Sequence, residues 1–141
     1  MNRASIGVKI KMIDIGFDRL SNQMLKPYDL TSTQFKVLLY LLKRKSEITK
    51  QIDLEKHFGL TNPTVTGILN NLEKSGFVKR EVNEQDVRSK KIRLCQNVLQ
   101  LESELTAIAV SIEKKLTQGL SKEEIESTLS VLEKIFANLN Q

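Results

Sequence analysis

Apolar residues in this chain recur at two periods, and the change of period marks its parts. Ile6, Ile10, Ile13, Phe17, Leu20 and Met24 follow one another at three- and four-residue steps. That spacing predicts a first helix over residues 5–25, stopped by Pro27. Thr31 is placed to cap a second helix, in which Phe35, Leu38, Leu39, Leu41 and Leu42 are apolar on most sides, as in a central buried helix. A short third helix, 49–58, ends at Gly59, the residue type that follows helix C-termini. A fourth starts from a Thr61 or Asn62 cap, with Pro63 in the first turn, where its missing N–H does no harm. Val65, Ile68, Leu69 and Leu72 face inward, and Gly76 ends the helix.

There the period falls to two. Residues 77–82 and 90–94 alternate as two strands, with 83–89 as the loop between them. Helical spacing returns in a fifth helix through Val98, Leu101, Leu105, Ile108 and Ile112. Ser121 and Glu124 form a capping box for a sixth, where Ile125, Leu129, Leu132, Phe136 and Leu139 alternate four and three apart. The expected architecture is mainly α with a small β-hairpin wing. A winged helix-turn-helix at 29–95 is flanked by helical dimerisation segments at 1–28 and 96–141.

The first, fifth and sixth helices lie outside the winged unit, yet each carries a long apolar stripe that a short helix-turn-helix core cannot cover. Either they form a bundle within the monomer or the terminal helices pack on a second copy. A two-fold dimer is the favoured outcome, with Ile6, Ile10, Ile13 and Phe17 from one end and Ile125, Leu129, Leu132 and Phe136 from the other in its interface.

Charge sharpens the picture. The chain has 141 residues and a net charge of +5, with 22 Lys and Arg against 17 Asp and Glu. The surplus is local: Lys74, Lys79, Arg80, Arg88, Lys90, Lys91 and Arg93 fall in one hairpin region, against Glu81, Glu84 and Asp86. A helix pair followed by a basic ribbon is suited to duplex DNA, one helix in the major groove and the ribbon along the backbone toward the minor groove. On the fourth helix Asn62, Pro63, Thr64, Thr66, Gly67, Asn70 and Asn71 lie off the core face, with Thr49 ahead of them at the start of the third. Asparagine can pair bidentately with adenine, and threonine methyls can meet thymine methyls. Lys79, Arg80, Lys90 and Lys91 are the expected phosphate contacts. Asp86, two residues before Arg88, is placed to brace it.

Catalytic chemistry has no foothold. His57 is the only histidine and Cys95 the only cysteine. A lone histidine lacks partners for a metal or a triad, and helix-end capping suits it better. A lone cysteine after an apolar strand reads as a small buried hydrophobe. No cofactor, no metal and no enzymatic activity are expected. With neither a signal peptide nor an apolar run of spanning length, the chain reads as a cytoplasmic protein without membrane association.

The chain resembles the MarR-type winged-helix transcriptional regulators over nearly its whole length. The matching pieces are L-T-S-T-Q-F-K-V-L from Leu30, H-F-G-L-T-N-P-T-V-T from His57, N-L-E-K-S-G-F-V-K-R from Asn71, and D-V-R-S-K-K-I-R-L from Asp86. The resemblance implies a homodimer built from the terminal helices and a palindromic operator, often released by a small molecule or by thiol oxidation. It sends Arg88 to the minor groove, where narrow A·T-rich tracts attract arginine. The family often has a basic residue near Gly67; this chain has none, which argues against a direct guanine contact from that position and leans the expected site toward A·T-rich sequence. Relatives that sense peroxide use a cysteine in the first helix, and this first helix has none. The expected function is sequence-specific repression of transcription, with a small aromatic or amphipathic ligand as the releasing signal. A winged-helix protein-interaction module without DNA binding is the alternative.

Overall fold

A computed structural model of the chain describes residues 4–86 and 88–141. The order of elements is α1 (Ile6–Leu25), a 3-10 turn (Lys26–Tyr28), α2 (Ser32–Lys43), β1 (Thr49–Lys50), α3 (Gln51–Phe58), α4 (Asn62–Lys74), β2 (Val78–Val82), β3 (Lys90–Leu94), α5 (Gln96–Gln100), α6 (Glu102–Leu116) and α7 (Lys122–Leu139). The three strands form one antiparallel sheet in the order β1-β3-β2. The chain divides into two compact units, the first ending at Ile108 and the second running Ala109–Gln141.

Local chemistry accounts for the boundaries. Ser5 caps α1 by accepting from the Val8 N–H, and Pro27 diverts the chain into the 3-10 turn, which closes on Asp29 in the left-handed region at φ 55°. Thr31 and Gln34 form a reciprocal capping box on α2, and Ser121 and Glu124 do the same for α7. Gly59 at φ 66° allows the left-handed step that ends α3 and turns the chain into α4.

The core of the first unit is assembled around α2. Phe35, Val37, Leu38, Leu41 and Leu42 are buried there together with Leu25, Leu54, Val65, Leu69, Leu72, Val78 and Val98. Each fully buried leucine contributes about 1.5–3 kcal/mol, so this cluster fixes α3, α4 and the sheet on one support. The Asn22 side chain of α1 accepts the Ser32 N–H at 2.8 Å, which ties the first helix to the start of α2. The terminal stripes are less covered: that of α1 stays open at Ile6 and Ile13, and α7 has no buried residue.

The structure departs from the sequence reading in two places. Thr49 does not begin a helix: Thr49 and Lys50 are extended and pair with Ile92 and Lys91, making a third strand. Two residues are too few for alternation to register, so the sequence predicts only a hairpin. The fifth helix is two helices, because Leu101 leaves helical geometry at φ −94°, ψ 3° before the chain resumes as α6. No proline or glycine marks that break, so apolar spacing runs straight across it.

Candidate nucleic-acid interface

The local sequence of α4 builds a helix with two unlike faces. Thr61 accepts from the Thr64 N–H to cap it, and Pro63 occupies the first turn. Val65, Leu69 and Leu72 are buried, with Ile68 half-buried beside them. On the opposite side Asn62, Pro63, Thr64, Gly67, Asn70 and Asn71 are exposed, and Thr66 is half-buried. A Cβ added at Gly67 would meet nothing within 4 Å, so the outward face has a bare patch of backbone in its middle.

The polar groups of that face are held from neighbouring elements. Gln51 at the start of α3 donates its amide to Thr66 Oγ1 at 2.8 Å and to the Asn62 carbonyl at 3.3 Å. Asn62 donates to Glu55 at 3.0 Å. Across the other flank Arg80 on β2 grips Glu73 twice: its Nε donates to Oε1 at 2.7 Å and its backbone N–H to Oε2 at 3.3 Å. The same guanidinium donates from Nη2 to Asn70 Oδ1. The side-chain hydrogen bond from Arg80 holds the Glu73 carboxyl below the usual carboxylate range. Partial burial opposes that shift, and the backbone bond and nearby positive charge add to it.

The wing is a twisted ladder with Val78 opposite Leu94 at its base and Val82 opposite Lys90 at its outer end. Glu81 sits between two cations of β3, at 4.0 Å from Lys91 and 3.4 Å from Arg93. In the connecting loop Asn83 is buried and its Oδ1 accepts the Gln85 N–H at 3.1 Å. Asp86 accepts the Arg88 backbone N–H at 3.1 Å and the Ser89 hydroxyl at 3.3 Å. Val87, inside the same loop, lies outside the described residues.

The predicted DNA-facing residues fall on the outer face of α4 and on the wing, where the register puts Arg80 and Lys90 on one face of the ladder and Lys79 and Lys91 on the other. Lys79, Asp86, Arg88 and Lys90 are exposed, Arg80 and Lys91 half-buried. Lys79, Arg88 and Lys90 make no ion pair among the described residues. A crevice of about 500 Å³ between α3 and the wing gathers Lys50, Arg80, Arg88 and Lys90 beside Ile52 and Glu55.

Two expectations need correction. Thr49 is 2% exposed and paired opposite Ile92, so its side chain is core and not surface. Arg80 is committed to Glu73 and Asn70 instead of standing free for phosphate, because the two acceptors on α4 lie within its reach. Asp86 braces Arg88 at its backbone N–H. Lys50, Gln51, Glu55 and Glu73 belong to the site without being expected there. The one signal for Glu73 is its place seven residues ahead of Arg80, across a turn that folds β2 back on α4. The other three carry none beyond their nearness to the turn.

The remaining chemistry-bearing residues serve packing. His57 stacks on Tyr40 with ring centroids 4.3 Å apart and meets Phe58 edge-on at 4.7 Å. Cys95 is half-buried, and its N–H closes on the Phe77 carbonyl at 2.9 Å. Lys45 pairs with Glu102 at 2.7 Å and Arg44 with Glu47 at 3.3 Å. Among the described residues no cluster of His, Cys, Asp and Glu is arranged to hold a metal ion, and no helix is long and apolar enough to cross a membrane.

Comparison with known proteins places this arrangement. Residues 30–90, which span α2 to the start of β3, match the MarR family. MepR from S. aureus, solved as a complex with DNA, is 30% identical and superposes with a TM-score of 0.87 over 96% of this chain and 99% of its own. The transcription regulator MarR from Oenococcus oeni PSU-1 is 28% identical, with a TM-score of 0.84 over 94% of this chain and 99% of its own. A cysteine-to-serine variant of MarR from E. coli, complexed with operator DNA, is 26% identical with a TM-score of 0.80 over 92% of each chain.

Proposed function

Because this chain belongs to the MarR family of winged-helix transcription regulators, we propose that it binds double-stranded DNA sequence-specifically, as a homodimer on a palindromic operator, and represses transcription there. The observation that carries the reading is the joint surface of α4 and the wing. Thr64, Gly67, Asn70 and Asn71 stand exposed on a helix whose other face is core, and Arg88 and Lys90 stand exposed at the outer end of the wing. The helix is shaped for base edges in the major groove, and an exposed arginine at the wing tip suits the electronegative minor groove.

Dimerisation follows from the open apolar stripes. Ile6 and Ile13 on α1 are 67% and 56% exposed, and Leu129, Leu132 and Phe136 on α7 are 54%, 46% and 43% exposed. Ile10, Phe17 and Ile125, on the same stripes, are half-buried. A second copy covers such surface symmetrically and sets two α4 helices about one helical turn of DNA apart, roughly 10 base pairs. A small aromatic or amphipathic ligand that prefers one spacing of those helices would release the operator, and only to the extent of that preference. This reading assigns the chain no catalysis and no cofactor.

The test is titration of operator and of random duplex at several salt concentrations, with the full chain and with Arg88→Ala. Arg88→Ala is expected to weaken both, and to flatten the dependence of log affinity on log salt by about 0.9 for each phosphate that the arginine had neutralised. If the substitution leaves affinity and salt slope untouched, the wing does not touch DNA.

A further inference from the structure

Asn70 has the right position for base reading, but it does not have both of its hydrogen-bonding functions free. Its Oδ1 accepts from the Arg80 guanidinium, and that guanidinium is itself fixed by Glu73 through Nε at 2.7 Å and through the Arg80 backbone N–H at 3.3 Å. Arginine has donors and no acceptor, so chemistry alone decides which end of the Asn70 amide faces it. The oxygen turns toward Arg80, and the amino group, Nδ2, turns away. Asn70 is exposed, so that amino group is available to a partner.

We infer that Asn70, its amide oxygen held by Arg80 and Arg80 in turn oriented by Glu73, presents only its amino donor to DNA, and that this selects guanine over adenine at one position of each half-site. The inference rests on the DNA-reading function proposed above. A free asparagine recognises adenine by donating to N7 while accepting from the N6 amino group. Here the accepting atom already carries an Arg80 N–H, and the adenine amino group would have to approach it beside a guanidinium full of donors. Guanine presents two acceptors, O6 and N7, on the same edge, and both are met by donors. Glu73 acts through Arg80 and does not reach the base itself; it is a positioning residue.

The experiment is selection of duplexes from a random library by the full-length protein, followed by affinities for all four base pairs at each selected position. Wild type is expected to prefer guanine over adenine about tenfold at the position whose preference vanishes in Asn70→Ala, within the range for one good base contact. Arg80→Met, which keeps the stem and removes every donor, is expected to move that preference to adenine. Asn70→Asp keeps an oxygen for Arg80 but turns an acceptor outward, so it is expected to select cytosine through its N4 amino group. A wild-type adenine preference that depends on Asn70 and survives Arg80→Met overturns the inference, as does the absence of any position that depends on Asn70. Failure of the wild type to bind any duplex defeats the DNA-reading function itself, and is told apart because every variant then fails alike. Should Arg80→Met not fold, nuclear magnetic resonance of the free wild-type protein decides. The Arg80 Nε–H is expected to exchange more slowly than that of Arg88, and to lose its protection in Glu73→Ala together with a shift of the Asn70 amide. Equal exchange at Arg80 and Arg88 in the wild type overturns the inference.

Discussion

Helices α4 and α7 are both amphipathic, both capped by a hydroxyl side chain, and opposite in what the chain provides for them. In α4, Val65, Leu69 and Leu72 are buried and the polar face is gripped from both flanks, by Gln51 and Glu55 on one side and Arg80 on the other. In α7 the capping box is satisfied, but no residue is buried and Leu129, Leu132 and Phe136 remain open. An apolar stripe is a demand for a partner, and only α4 finds one in its own chain. α4 buries its stripe within its own unit, whereas the stripe of α7 stays open, as the proposed dimer requires.

The largest effects expected are those that exchange these conditions. Leu132→Asp combined with Phe136→Asp places two charges in the proposed interface, where they would be buried without partners. Light scattering is expected to report monomers, and operator affinity to collapse to that of a single half-site, while denaturant unfolding of the winged unit persists. Leu69→Ala, at the buried face of α4, is expected to do the reverse: it costs about 2–5 kcal/mol of unfolding free energy and leaves dimers among the folded molecules. A wild-type protein that scatters as a monomer at micromolar concentration would remove the basis of the comparison.

The same contrast explains what could be read from the sequence. Period and caps place α1, α2, α4 and α7, because each rests on many residues repeating one signal. The break at Leu101 and the strand Thr49–Lys50 escape it, since neither has a breaker or enough residues to set a period. In the site, exposure of Asn70 and Asn71 follows from their place off the apolar face of α4, and that of Arg88 from its place in the loop between the strands. The state of those groups does not. That Arg80 turns inward to Glu73 and Asn70 depends on how closely β2 folds back on α4, and the strand's alternation says only which face Arg80 shares with Val78. Likewise, the sequence starts the third helix at Thr49 and gives no sign that this residue is extended, pairs with Ile92 and is buried.

A smaller effect tests how finished α4 is. Gly67 lies in the middle of the helix, with open space where its Cβ would stand and no left-handed backbone to justify it. Glycine there is less favourable than alanine by roughly 0.5–1 kcal/mol, so Gly67→Ala is expected to stabilise the free protein by that amount in denaturant titration. If the bare backbone is needed for close approach to DNA, the same substitution weakens operator binding even as it raises stability. Unchanged or tighter binding would mean the groove does not close on that patch.

The smallest effect is electrostatic, and it has a definite sign. Arg80 holds the Glu73 carboxyl below its ordinary range, so the folded protein binds that proton less readily than the unfolded chain does. The contribution is therefore fully present above the ordinary glutamate pKa and is lost as pH falls through the depressed folded value. The pair is partly exposed, with 25% and 33% of the two side chains accessible, so solvent screening keeps its worth within about 0.2–1 kcal/mol. Glu73→Gln is expected to remove this acid-side loss, so that the difference in stability between variant and wild type shrinks on going from neutral pH to below pH ~4. A flat difference for Glu73→Gln would mean that Arg80 does not hold the carboxylate in solution, and the flank of α4 would then be as open as the stripe of α7.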